Sequence, residues 1–171
     1  MECSTYQGHF QVQPAILPRP DLDALGVHYR RSPVMAIGRD IYVDSRMILQ
    51  RLEELFPASA EHPAFSLKET AGLAALLNKF TVDASVFSTG VQIMPPEHPA
   101  LGEKNFIADR KGFYGTEWTI QDAVKRRPES LSRLRECFAI AESLFADGRQ
   151  WVAGTSEPTL ADLEGAVVRI Q

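Results

Sequence analysis

The sequence predicts an α+β chain, with short extended segments first and helices after them. Three observations carry that prediction. The run Tyr29 to Arg46, YRRSPVMAIGRDIYVDSR, reads as two short strands around a tight turn, running into a helix start. Beyond Pro57–Pro63 the apolar spacing becomes helical. Strands grouped ahead of helices, rather than alternating with them, is the α+β order. The division falls at residues 1–60 and 61–171, as one domain or as two small ones sharing a core.

In the first part, Phe10 to Ile16 fits a strand interrupted at Pro14. Pro20 to Leu25 fits one or two helical turns, with Pro20 at the first position and Gly26 as terminator. Ser32-Pro33 then opens a strand from Val34 to Ile37. Gly38-Arg39-Asp40 turns the chain, and Ile41 to Val43 returns. Asp44 is placed to cap a helix whose apolar stripe is Met47, Ile48, Leu52 and Leu55, ending near Phe56-Pro57.

In the second part, Ser66-Leu67-Lys68-Glu69 has the capping-box pattern and predicts a long helix through Leu73, Leu76, Leu77, Phe80 and Phe87. Val91 to Arg127 is less regular, with a short aromatic helix at FIADRKGFYGTEW. Ser130 starts an amphipathic helix with Leu131, Leu134, Phe138, Ala141, Leu144 and Phe145 on one face and Gly148 just past its end. Thr159-Leu160-Ala161-Asp162 is a second capping box, with Asp at its fourth position.

Composition narrows the function classes. The 171 residues are 44% hydrophobic and 23% charged, ordinary for a globular protein, and the net charge of −4 argues against a nucleic-acid partner. No apolar run approaches the roughly 20 residues of a membrane span. The first residues, MECSTYQGHFQVQP, lack the basic and apolar regions of a secretory signal. Cys3 and Cys137 stand apart, which fits a reducing, cytoplasmic setting. His9, His28, His62 and His98 are scattered, and no metal site is expected.

Two spots carry possible chemistry, each with a plainer reading beside it. Ser32-Pro33 fits either an ordinary trans proline at a strand start or a cis bond that presents the Ser32 backbone to a ligand. Asp44-Ser45 fits either a helix cap alone or a hydroxyl and free N–H groups that hold a ligand carboxylate. Thr159 and Asp162 read as a folding signal. Arg30-Arg31 and Arg126-Arg127 read as solvated, and Phe106, Phe113, Tyr114 and Trp118 as core. Lys79 and Asp83 fall mid-helix, where polar side chains can line a cleft.

The strand–turn–strand–Asp-Ser–helix order from Ser32 to Phe56, together with WVAGTSEPTLADLE some 110 residues later, resembles the glutathione S-transferase superfamily. PRPDLDALGVHYRRSPVMAIGRDIY resembles in particular a group of fungal glutathione-transferase-like proteins. The resemblance implies an incomplete thioredoxin-like N-terminal part, residues 1–60. An all-helical glutathione-transferase C-terminal-like domain, residues 61–171, follows it. By residue, Pro33 matches the cis-proline and Ser32 the residue whose backbone pairs with the cysteinyl part of glutathione. Asp44 and Ser45 match the pair that holds the γ-glutamyl carboxylate. The implied cofactor is glutathione or none.

The departures shape the expected function. The resemblance starts at the family's second strand, so the usual first strand and first helix have no counterpart, and it stops inside the last helix above. Cys3, Ser4 and Tyr6 have the chemical types that activate the thiol, but not the context. Without a central first strand, the hairpin's open backbone groups need partners. That predicts a homodimer, with strand exchange as one solution. Three function classes are compatible with this, in order of preference. The first is glutathione-independent isomerisation, cyclisation or elimination on a small, largely apolar or aromatic metabolite in fungal biosynthesis, with Lys79, Asp83, Tyr114 and Asp109 as candidate catalytic residues. The second is glutathione-dependent conjugation of an electrophile. The third is a non-enzymatic binding or assembly module.

Overall fold

Proline and glycine set the local geometry of the N-terminal part. In the computed structural model, which describes residues 9, 12–14, 16–60, 63–83, 86–115 and 119–165, helix α1 (Pro20–Ala24) opens on its proline and is closed by Gly26 at φ 72°. The bonds Leu17–Pro18 and Ser32–Pro33 are both cis.

Strand β1 (Val34–Ile37) pairs antiparallel with β2 (Asp40–Val43), with Val34 opposite Val43 and Ile37 opposite Asp40. Asp40 therefore belongs to the strand, and the turn is the pair Gly38-Arg39. Gly38 takes φ 60° at the first central position, the place where a type II′ hairpin wants glycine. Among the described residues the sheet has these two strands.

The strand expected over Phe10–Ile16 is not formed by its described residues, Val12–Pro14 and Ile16. Phe10, Gln11 and Ala15 lie outside the described residues. Pro14 has no N–H for a ladder, and its carbonyl accepts from Arg19 Nε at 3.0 Å instead.

Helix α2 (Ser45–Leu55) follows β2 directly, and the Asp44 carboxylate accepts from the Arg46 N–H at 2.9 Å. Ile48 is buried and Leu52 half-buried, but Met47 is 56% exposed, so only part of the predicted stripe packs inward.

The helical part comprises α3 (Ala71–Asn78), a π-helical turn (Lys79–Asp83), α4 (Val86–Gln92), α5 (Lys104–Tyr114), α6 (Ile120–Ser143) and α7 (Leu160–Gly165). Its core is Ala74 and Leu77 of α3, Ala161 of α7 and Val152 from the loop before α7. Leu73, Leu144, Phe145 and Leu160 pack against it.

Three expectations are corrected here. The helix predicted from Ser66 begins at Ala71. The amides of Phe65 and Ser66 donate to Glu53 of α2 at 2.7 and 2.8 Å, a tertiary acceptor that takes the place of the local box. The helix predicted from Ser130 begins at Ile120, where the Thr119 hydroxyl accepts from the Asp122 N–H at 3.1 Å, and it runs through Pro128. Arg127 Nε donating to the Ile93 carbonyl at 3.1 Å, and Ser130 Oγ donating to Gln92 at 3.0 Å, fasten α6 to the end of α4 across that proline. Phe87 is 58% exposed, while Val86 and Thr89 are buried. A π-helical turn, Lys79–Asp83, stands in the stretch predicted as one α-helix.

Half of the box at α7 forms: the Asp162 side chain reaches back to Thr159, while the Asp162 N–H donates to the Thr159 carbonyl at 3.0 Å and not to its hydroxyl. Asp162 accepts from the Thr159 N–H at 2.8 Å, from the Thr159 hydroxyl at 3.1 Å and from the Val152 N–H at 2.7 Å.

Candidate functional site

The hairpin delivers the chain into α2 at Asp44, which is held at φ 75°, ψ 128°. That is an uncommon backbone state for a residue with a side chain. Asp44 and Ser45 are both exposed beside the first turn of α2, and Ser32 and Pro33 are exposed at the opening of β1. Tyr42 of β2 lies under Arg51 of α2, whose guanidinium sits 5.7 Å from the ring centre, which joins hairpin and helix.

The four residues expected to carry acid–base chemistry do not form one constellation. Lys79 and Asp83 are the first and last residues of the π turn. Lys79 is exposed, and the side chain of Asp83 lies outside what the structure describes. Tyr114 ends α5, and its side chain is likewise outside the described atoms.

Asp109 is placed clearly, in a structural role. Its carboxylate is buried between Arg30 at 2.5 Å and Arg110 at 2.8 Å. Arg30 also donates to the Asp109 carbonyl at 3.1 Å. The carboxylate oxygens face two guanidinium groups rather than open space, and the contact fastens the segment before β1 to α5. Arg30 is therefore not the solvated residue expected, and neither is Arg127.

A cleft of about 410 Å³ lies beside α1, lined by Leu17, Pro18, Arg19, Asp23, Val27, His28 and Tyr29. Neither Lys79 nor Asp109 is among its lining residues. A cleft of this size suits a small organic molecule. His28 Nδ1 stands 3.4 Å from Asp23 Oδ1, a long contact at the open side of the cleft. An ionised carboxylate only accepts, so the hydrogen bond forms in the tautomer that carries its proton on Nδ1.

Arg19 is 8% exposed and lies deeper. Its Nε donates to the Pro14 carbonyl at 3.0 Å and its Nη1 to the Arg31 carbonyl at 3.4 Å. Sequence reasoning passed over these residues. Their signal was the triplet Pro18-Arg19-Pro20, which fixes the backbone on both sides of a cation, and the pair His28-Tyr29 just past the glycine that ends α1.

With the geometry in place, the chain can be compared with known proteins. A family described as "Domain of unknown function (DUF7962)" matches residues 89–169, from the second half of α4 through α7. A search of curated proteins finds no match. By fold class the protein is α+β, a two-stranded antiparallel sheet with helices. No helix among the described residues is long and apolar enough to cross a membrane.

Proposed function

We propose that this is a glutathione-transferase-like enzyme, with a thioredoxin-like N-terminal part and a helical domain, that acts on a small, largely apolar metabolite without glutathione. The observation that carries the reading is the cleft beside α1. Leu17, Pro18 and Val27 give it apolar walls, and His28 with Asp23 stands at its open side. A histidine oriented by a carboxylate is suited to moving a proton on and off carbon, the step shared by isomerisation, cyclisation and elimination. His28 is the general base in this scheme, Asp23 orients it, and the apolar walls hold the substrate.

Deuterium transfer from D2O into a panel of small aromatic carbonyl compounds, followed by proton NMR, tests it. His28→Asn is expected to lower the rate by about 100-fold or more. An unchanged rate sinks the proposal.

A second reading rests on Asp44. A strained residue beside Ser45, at the first turn of α2, also suits a γ-glutamyl carboxylate. Glutathione at millimolar concentration then raises the melting temperature, and Ser45→Ala removes the rise. No shift leaves the glutathione-independent reading in place. The proposal also carries a cytoplasmic homodimer. β1 and β2 pair only with each other among the described residues, which leaves edges that a second copy's strand can join. A monomer by light scattering at micromolar concentration counts against that part.

A further inference from the structure

We infer that the cleft beside α1 binds the carboxylate group of its ligand through Arg19. The inference rests on the reading of the cleft as the substrate site, and it names the class of substrate: a small carboxylic acid with an apolar or aromatic body.

The argument starts from the cost of a buried cation. Arg19 is 8% exposed and remains charged. Groups of this kind are buried when a carboxylate neutralises them. Among the described residues Arg19 has none: its partners are the carbonyls of Pro14 and Arg31. Carbonyl dipoles satisfy two of its five N–H donors and cancel none of its charge. Arg19 is itself one of the residues that line the cleft.

The other wall residues do not supply the missing anion. Asp23 lines the same cleft, but its carboxylate is turned to His28 at 3.4 Å. Leu17, Pro18 and Val27 are the aliphatic residues of the same lining. A low-dielectric wall strengthens attraction between Arg19 and an incoming anion. The planar fork of a guanidinium matches a carboxylate with two parallel hydrogen bonds. The two carbonyl contacts hold the guanidinium in position before the ligand arrives, which limits the ordering cost on binding.

Isothermal titration of the whole chain with cinnamate and with its neutral amide tests this. Cinnamate is expected to bind at least about tenfold more tightly than the amide, the usual scale of a charged hydrogen bond. Arg19→Gln abolishes that preference. Arg19 also holds backbone carbonyls, so two further variants keep the test open if Arg19→Gln does not fold. Asp23→Asn removes the negative charge on the same wall and is expected to tighten cinnamate by a few-fold while leaving the amide unchanged. Val27→Trp fills the cleft and eliminates binding of both. Equal affinity for acid and amide, lost in Val27→Trp, overturns the role of Arg19 and leaves the cleft as the substrate site. Binding that survives Val27→Trp overturns both.

Discussion

In the helical part, Ala74, Leu77, Val152 and Ala161 close on one another as a continuous apolar cluster. In the described residues up to 60, Ile48 is the one buried apolar residue. What stands in place of a core there is a set of polar ties. Arg19 reaches the carbonyls of Pro14 and Arg31, Arg30 reaches Asp109, and Glu53 takes the amides of Phe65 and Ser66. Apolar burial is non-directional and sums over area, whereas a polar tie contributes a small net amount and fails when one partner goes. The helical part is thus built to hold itself together. The hairpin part leans on it, and the candidate cleft lies in the part that leans.

The largest expected effect breaks the stronger side. Leu77 is buried among Ala74, Val152 and Ala161, and Gly165 approaches its side chain closely. Leu77→Ala is expected to cost about 3 kcal/mol, within the range for a leucine removed from a packed core. Urea denaturation followed by circular dichroism measures it as a lower midpoint at unchanged slope. A loss below about 1 kcal/mol would mean that this cluster is not the core of the helical part.

Asp109→Ala is the next largest and separates the two regions. Removing a buried carboxylate costs about 3–5 kcal/mol when its partners are also buried. Arg30 and Arg110 keep 24% and 22% exposure, so solvent screens part of this and about 2 kcal/mol is expected. The more telling readout is where the loss appears. Amide hydrogen exchange should accelerate in β1 and β2 while the amides of α3 and α7 stay protected. Equal acceleration in both regions would show one cooperative unit and end the contrast.

The two regions also differ in how far the sequence alone described them. The hairpin, Asp44 as cap and the Thr159–Asp162 box were legible because each is local, encoded in a turn glycine or a cap within four residues. The start of α3 was not, because the amides of Phe65 and Ser66 are taken by Glu53, 12 and 13 positions earlier in the chain. The exposure of Phe87 was not, and no residue announces the π turn that stands in the stretch predicted as one α-helix. Asp109 was visible as a pair with Arg110, but Arg30, which gives the pair its structural meaning, lies 79 positions away. The cleft was hidden for the same reason, since Arg19 gains its character from the distant carbonyl of Arg31 and from burial.

Glu53 gives a smaller, intermediate effect. Glu53→Ala removes the acceptor shared by the Phe65 and Ser66 amides, both at exposed positions that water can reach. About 1 kcal/mol is expected, read in the same urea experiment. Glu53→Gln keeps an acceptor oxygen and should recover part of it. If both variants lose equally, the charge of Glu53 matters rather than the hydrogen bonds.

The smallest effect concerns a surface pair at the edge of the helical core. Arg149 donates to Asp147 through Nε and Nη2, at 2.9 and 2.6 Å, and to the carbonyl of the core residue Val152 at 3.2 Å. The hydrogen bonds from Arg149 hold the Asp147 carboxyl down to about 2, from an ordinary value of 3.8. Its folded pKa is therefore below the unfolded one. The stabilisation is present above 3.8 and is lost as pH falls through about 2. Arg149→Gln removes the side-chain share of that pH-dependent part, since the backbone N–H of residue 149 still donates to Asp147 Oδ1 at 3.2 Å, together with the pH-independent bond to Val152. The melting-temperature gap between wild type and Arg149→Gln should narrow as pH falls from 3.8 toward 2 and then level off at the part owed to Val152. Added salt should shrink the upper part of the gap, since both groups face solvent. A gap that stays constant through this window would place the whole effect on the Val152 carbonyl, and the tie would belong to the core rather than to the surface.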